Sequence, residues 1–285
     1  MKVIVAGVGF VGLATARLFH AAGWEVLGLT HSAESAERLA GEPFAVGACD
    51  IAVRESVEQL STTADVVIHC ASSSHGGADA YRAVYLEGAR NLLTVLAPKR
   101  LIFTSSTSVY GQTDGAWVDE TSATDPSRET GLILRETEDL VLAHGGIVAR
   151  LAGIYGPGRS VLLRKFFSGE AVIEGDGSRV INQVHRDDIA SALLTLATRA
   201  DAGIFNVCDN HPVTQRDLYT WLANHFSRPL PPSGPIDPNR KRGWTNKQVS
   251  NAKLRALGWQ PKHATFFDAV SNEPDLATLA GYSPP

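Results

Sequence analysis

The feature that most constrains this chain lies at its start. An apolar run, Lys2–Ala6, passes through Gly7-Val8-Gly9-Phe10-Val11-Gly12 into a stretch with helical periodicity. Glycine at those positions suits a strand that turns sharply into a helix. One glycine permits the tight turn, one lets the backbone approach a diphosphate, and one lets helix and strand pack closely. A helix that starts this way presents free N–H groups and the positive end of its dipole, which favour phosphate. The pattern predicts a dinucleotide held by Gly7, Gly9, Phe10, Val11 and Gly12. The same run, followed by Ala14-Thr15-Ala16, imitates a secretory signal. The glycine spacing, and the need of the following sheet for that strand, favour the nucleotide turn. The run is also shorter than the roughly 20 apolar residues that span a bilayer. The expectation is a cytoplasmic protein without a membrane partner.

From there to about residue 150, short β-rich runs alternate with amphipathic stretches. The strand-like runs are Lys2–Ala6, Glu25–Leu29, Ala45–Ala48, Val66–Cys70, Leu101–Thr104 and Ile147–Ala149. Between them the apolar spacing predicts helices over Val11–Ala22, Ala33–Ala40, Ala52–Thr62, Ala80–Ala97 and Glu129–His144. Right-handed crossovers through such units wind a parallel sheet covered on both faces. After residue 153 the rhythm breaks at Gly156-Pro157-Gly158, Gly175-Asp176-Gly177 and the proline-rich Pro229–Pro238, although a helix over Asp187–Thr198 and a strand over Ile204–Val207 return to the sheet. The expected fold is therefore α/β: a doubly wound parallel (Rossmann) sheet with a small C-terminal substrate lobe. Residues 1–152, with 182–208 returning, form the nucleotide domain; 153–181 and 209–285 form the lobe.

Composition removes several classes. Lys+Arg 26 against Asp+Glu 30 leaves a net charge of −4 with no block of like charge, which excludes a phosphate-tracking nucleic-acid surface. Cys49, Cys70 and Cys208 are odd in number and widely spaced, as small core residues of a reducing compartment are. Neither a CxxC nor an HExxH pattern occurs, and no metal site is expected.

In an open α/β sheet, ligands bind at the carboxyl ends of the strands, and those ends nominate the remaining cofactor residues. The second strand ends in Thr30-His31-Ser32, with no carboxylate before Glu34 and with Arg38 a turn later. NAD binders usually carry an acid there for the ribose 2′-hydroxyl. Its absence favours NADP over NAD, with Arg38 equally readable as a solvated helix residue. Asp50-Ile51 suits the adenine or a helix cap. Cys70-Ala71-Ser72 supplies small residues where a cofactor crosses the sheet edge, and Thr104, Gly153 and Ile154 complete the set.

The segment Ser105-Ser106-Thr107-Ser108-Val109-Tyr110-Gly111 resembles the SSxxVYG signature of extended short-chain dehydrogenases, the NAD-dependent epimerase/dehydratase family. Arg150-Leu151-Ala152-Gly153-Ile154-Tyr155-Gly156-Pro157-Gly158 resembles its LRxxxxYGPG stretch, Val184-His185-Arg186-Asp187-Asp188 its VHVDD segment, and Ile204-Phe205-Asn206-Val207 its YNV strand. The likeness runs from residue 1 to about 270. It implies a Tyr that exchanges the substrate proton, a Lys four residues later that lowers the Tyr pKa and holds the nicotinamide ribose, and a Ser that orients the substrate oxygen. Ser106 matches the Ser. Thr130 and Leu134 stand where the Tyr and Lys belong, and no Tyr lies between Tyr110 and Tyr155, nor any Lys between Lys99 and Lys165. The family's relay Asn is replaced as well, at Tyr85-Leu86-Glu87-Gly88. These departures place the chain nearer the atypical members resembling the YeeZ-type proteins than the UDP-sugar epimerases.

Three residues are left as candidates for the chemistry: Ser106, Tyr110 and Tyr155. His185 with Asp187 and Asp188 reads as lobe docking and a helix cap before acid–base work. Arg150 and Arg159 can hold an anionic substrate or satisfy groups of the fold. The basic run Arg240-Lys241-Arg242 reads as solvated. The resemblance implies an NAD(P)-dependent oxidoreductase or epimerase acting on a small carbonyl, polyol or sugar-like molecule with a non-standard proton donor. The alternative is a catalytically silent NADP-binding sensor or assembly protein. A homodimer through the fourth and fifth helices is expected of extended members.

Overall fold

The computed structural model describes residues 1–73, 76–237 and 244–282. Seven parallel strands form its centre: β1 (Lys2–Ala6), β2 (Glu25–Thr30), β3 (Ala45–Ala48), β4 (Val66–His69), β5 (Arg100–Ser106), β6 (Ile147–Leu151) and β7 (Gly203–Val207). Their order is β7-β6-β5-β4-β1-β2-β3. The chain therefore leaves β1 in one direction across the sheet and later crosses back to β4, and the loops after β1 and β4 diverge to open a crevice. The inner strands are mainly apolar because both of their faces are covered; β4 and β6 are buried at every position, His69 and Arg150 included.

The helices follow from their apolar spacing. In α1 (Phe10–Ala21), Gly12, Thr15, Ala16 and Phe19 make one buried stripe. α2 (Ala33–Glu37) and α3 (Arg54–Glu58) are shorter than the pattern suggests. Asp50 turns the chain by accepting from the Ala52 N–H, which delays α3, and Ser61 ends that segment at φ +43°. The stretch expected as one regular helix is continuous but widened: Ala78–Tyr81, a π turn over Arg82–Glu87, and Gly88–Leu96, together called α4. Within the π turn the Val84 carbonyl lies 3.0 Å from Nε2 of buried His69, at the end of β4. α5 (Glu129–Ala143) and α7 (Arg186–Arg199) complete the layers, with α6 (Val161–Phe167) between them in sequence.

A second core, separate from that of the sheet, joins Tyr155, Leu163, Phe166, Ile173, Leu218, Tyr219, Leu222, Phe266 and Val270. All of them lie within 153–181 or 209–285. Not all of the latter segment belongs to that lobe, however: Val249, Leu254 and Trp259 pack into the sheet's own core, and Gln248–Val249 pairs in parallel with Trp117–Val118. Among the described residues, no helix is long and apolar enough to cross a membrane.

Candidate active site

A cleft of about 480 Å³ opens at the crevice between the β1 and β4 loops. The glycine turn forms its floor, and each glycine has its own steric reason. Gly7 sits at φ +95°, and a Cβ there would lie 2.4 Å from the Ala71 backbone. A Cβ on Gly12 would lie 2.1 Å from the Gly7 carbonyl oxygen, so helix and turn touch. Gly9 faces nothing within 4 Å, leaving open the space through which a diphosphate approaches. Gly7, Gly9, Phe10, Val11 and Gly12 all border the cleft, and the first turn of α1 contains no acidic residue.

At one end, Thr30, His31 and Ser35 reach the cleft. The Thr30 hydroxyl is committed to the Ser32 carbonyl at 3.0 Å, and Ser32 spends its own oxygen capping α2 through the Ser35 N–H. Ser35, one turn later, thus faces the cleft in place of Ser32. Arg38 reaches the Ser35 hydroxyl at 2.9 Å while pairing with Glu34. Asp50 does not border the cleft; its carboxylate lies 3.7 Å from His31 Nδ1. Ile51 is buried, packs toward Gly88, and accepts from Asn91 through its carbonyl.

The other end gathers the ends of β4 and β5. Cys70, Ala71, Ser72, Thr104, Ser106 and Ile154 border it, whereas Gly153 is turned away, against Gln183 and Asn182. Burial raises the Cys70 thiol to about 12, so it stays protonated. Ser106 ends β5, and its hydroxyl accepts from the Ser108 N–H at 3.2 Å. Ser105 also borders the cleft, but its hydroxyl is committed to Glu138, to which it donates at 2.6 Å.

Two tyrosines singled out in the sequence do not reach the cleft. Tyr110 is fully buried, donates to Asn206 Oδ1 at 2.9 Å and accepts from Arg150 at the same distance. Tyr155 lies in the second core, edge-on to His185 and Phe266, and burial drives its phenol pKa well up. Arg150 is likewise unavailable to a substrate, being 1% exposed and bound to Glu138 at 2.6 Å. Tyr81 and Tyr85, two phenols of α4, do line the cleft, with ring centroids 4.9 Å apart. Aromatic residues on a helix give no signal beyond core packing; sequence reasoning passes over Tyr81 and meets Tyr85 only at the place of the relay Asn.

The profile of the NAD dependent epimerase/dehydratase family matches residues 3–208. The chain belongs to that family. It is 34% identical over 239 residues to Protein YeeZ of Escherichia coli, covering 78% of this chain and 82% of the relative. It is 28% identical over 246 residues to the low-salt glycan biosynthesis protein Agl12 of Haloferax volcanii, covering 75% and 76%. Among solved structures, the UDP-glucose 4-epimerase of Thermus thermophilus in complex with NAD superposes with a TM-score of 0.80 at 21% identity, covering 99% of this chain and 100% of that one. The dTDP-glucose 4,6-dehydratase DesIV of Streptomyces venezuelae, with NAD and TYD bound, gives 0.80 at 20% identity, covering 98% and 96%.

Leu134 lines the cleft. Thr130 borders a small adjoining hollow that it shares with Tyr81 and Leu134. Tyr81 thus stands beside Thr130, and no hydrogen bond from a described residue engages its hydroxyl.

The VHVDD-like segment docks the lobe. His185, not an Asp, caps α7: its Nδ1 accepts from the Asp187 N–H at 3.2 Å. Asp188 accepts from the Lys262 and His263 N–H groups. His185, His263 and Glu273 bring ligand-type atoms within 4.8 Å of one another. With Nδ1 of His185 already accepting, a neutral ring carries its proton on Nε2, which faces Glu273 at 3.4 Å and has no lone pair for a cation. Burial, with His263 alongside, depresses His185 to about 4. The run Arg240-Lys241-Arg242 lies outside the described residues.

Proposed function

We propose that this chain is an NADP(H)-preferring oxidoreductase or epimerase-type enzyme for a small, uncharged carbonyl, polyol or sugar-like substrate. The observation that supports it most is a single cleft running from the Gly9 void to Ser106. The residues present fit a dinucleotide: open space at Gly9, helix N–H donors at Phe10 and Val11, and small side chains at Cys70–Ser72 where the sheet edge is crossed. A nicotinamide bound there supplies hydride chemistry. His31 and Ser35, backed by Arg38, offer donors to a 2′-phosphate; no acid lines that end of the cleft, Asp50 and Glu34 standing behind His31 and Arg38.

At the far end Ser106 orients the substrate oxygen. Tyr81 holds the proton that this oxygen gains or loses, in place of the residue missing at Thr130. The walls there, Leu134, Leu151 and Ala152, are apolar; they suit a neutral substrate and keep water from the reacting carbon. Fluorescence titration with NADPH and NADH, followed by 340 nm absorbance over a panel of aldehydes, ketones and sugar lactones, tests the reading. NADPH binds more tightly than NADH, and at least one carbonyl class turns over.

A second reading is favoured by Leu134 alone. Without a cation at that position nothing lowers the pKa of a neighbouring phenol, and a protein that binds NADPH without turning over any of the panel is a cofactor-dependent sensor.

A further inference from the structure

Resting on the dinucleotide reading above, one feature of the cleft has no counterpart in the glycine turn itself. The stretch Gly156-Pro157-Gly158-Arg159 closes on itself through two hydrogen bonds, Gly156 N–H to the Arg159 carbonyl and Arg159 N–H to the Gly156 carbonyl, both 2.9 Å. Pro157 presets its own φ, and Gly158 at φ +75° takes the position for which a type II turn needs a positive φ. The turn is seated as well as closed. A Cβ on Gly156 would lie 3.2 Å from Cζ of Phe10, 3.1 Å from Cβ of Arg186 and 3.3 Å from Nε2 of His185. Directly afterwards Ser160 caps α6 through the Leu163 N–H. The Arg159 backbone is therefore fixed on both sides.

Its side chain is not. The guanidinium carbon lies 5.2 Å from the centroid of the Phe10 ring, at the edge of the cleft. Among the described residues no hydrogen bond or ion pair engages it. Neighbouring cations differ: Arg186, 5.1 Å from the same ring, pairs with Asp187 at 2.9 Å, and Arg17 pairs with Glu42. Phe10 is the first residue of α1, so the unengaged cation stands over the helix start that meets the diphosphate. A diphosphate carries two formal charges, whereas a helix start offers about half of one. A guanidinium supplies a full charge and can hold two phosphate oxygens at once.

We propose that Arg159 is a diphosphate clamp, delivered by the small lobe to the nucleotide turn of the sheet, and that it leaves the Phe10 face for the phosphate oxygens when the dinucleotide enters. Cofactor binding then fastens lobe and sheet together at the Gly156–Arg159 turn.

The test needs no substrate. NADPH and ADP-ribose are titrated by calorimetry into the full chain and into Arg159→Gln and Arg159→Lys, with the thermal melts of the unliganded proteins checking the fold. The clamp predicts a Kd at least about tenfold weaker for Arg159→Gln with both ligands by a similar factor, and a smaller loss for Arg159→Lys. It also predicts that NADPH slows amide exchange over 156–167 in the parent and not in Arg159→Gln. Equal affinities in parent and variant overturn it, as does a variant that loses affinity for NADPH while ADP-ribose binds as in the parent, which assigns the side chain to the nicotinamide end instead. A parent chain that binds neither ligand overturns the dinucleotide reading as well, a result distinguishable from the other two.

Discussion

At the scale of single residues, side chains of one chemical type have been sorted by position into different tasks. Tyr81, Tyr110 and Tyr155 are all buried, but of the three Tyr81 alone borders the cleft. Tyr81→Phe should therefore lower turnover about 100-fold or more, the usual scale of a lost acid–base group, while leaving the NADPH Kd unchanged; Tyr155→Phe should change neither. Steady-state kinetics beside fluorescence titration separates the two. Glu138 holds Arg150, Ser105 and Arg135 in a buried network. Glu138→Ala leaves the Arg150 guanidinium without its carboxylate at 1% exposure, and urea unfolding should show a loss of about 3–5 kcal/mol. None of this sorting is legible in sequence. Tyr110 follows Ser106 by four residues, but the tight turn over Thr107–Val109 swings it inward to Asn206, and no spacing rule reports such a reversal. Arg150, too, reads equally as a ligand for anions or as part of the fold until Glu138 is found beside it.

At the scale of elements, the strand–turn–helix is the part the sequence states most openly. Its glycines sit where only backbone geometry decides, and each makes a separate demand. Gly9→Ala enters open space; its thermal melt should stay near the parent's while its NADPH affinity falls about tenfold or more, since the added methyl occupies the approach to the phosphates. Gly7→Ala, at φ +95° and against Ala71, should instead cost on the order of 1–3 kcal/mol of stability, read by denaturant unfolding. Strands β1 and β3 match the sequence reading to the residue, β1 ending directly at the turn glycine Gly7. The π turn in α4 is not legible there, because what accompanies it is a contact from β4, His69 against the Val84 carbonyl, and a helical apolar pattern looks the same with or without one extra residue in a turn.

At the scale of the whole molecule, two cores share one chain, and polar groups such as His185 and Asp188 fasten one to the other. Buried histidines make stability pH-dependent. Burial holds His69 at about 4 in the folded chain, against about 6.5 when unfolded. Between those values the unfolded chain binds the extra proton, so this contribution is complete above about pH 6.5 and is lost as pH falls toward 4, on the order of 3 kcal/mol in all. Asp209 works in the opposite sense: burial raises it to about 7, so its contribution is lost as pH rises from the usual carboxylate range. Denaturant unfolding of the parent and of His69→Phe across pH 4–7 isolates the first effect, and the variant should show the shallower acid-side decline. Glycines and prolines mark the change of rhythm near residue 153 in the sequence. The return of 248–259 to the sheet's core is not so marked, because short apolar pairs such as Val249 and Leu254 carry no address. Above all these details stands the cleft at the turn after β1, and isothermal titration of the full chain with NADPH and NADH tests it most directly. One site per chain is expected, tighter for NADPH and weakened by Gly9→Ala; absence of binding heat with both nucleotides, from a protein that melts cooperatively, overturns the dinucleotide reading.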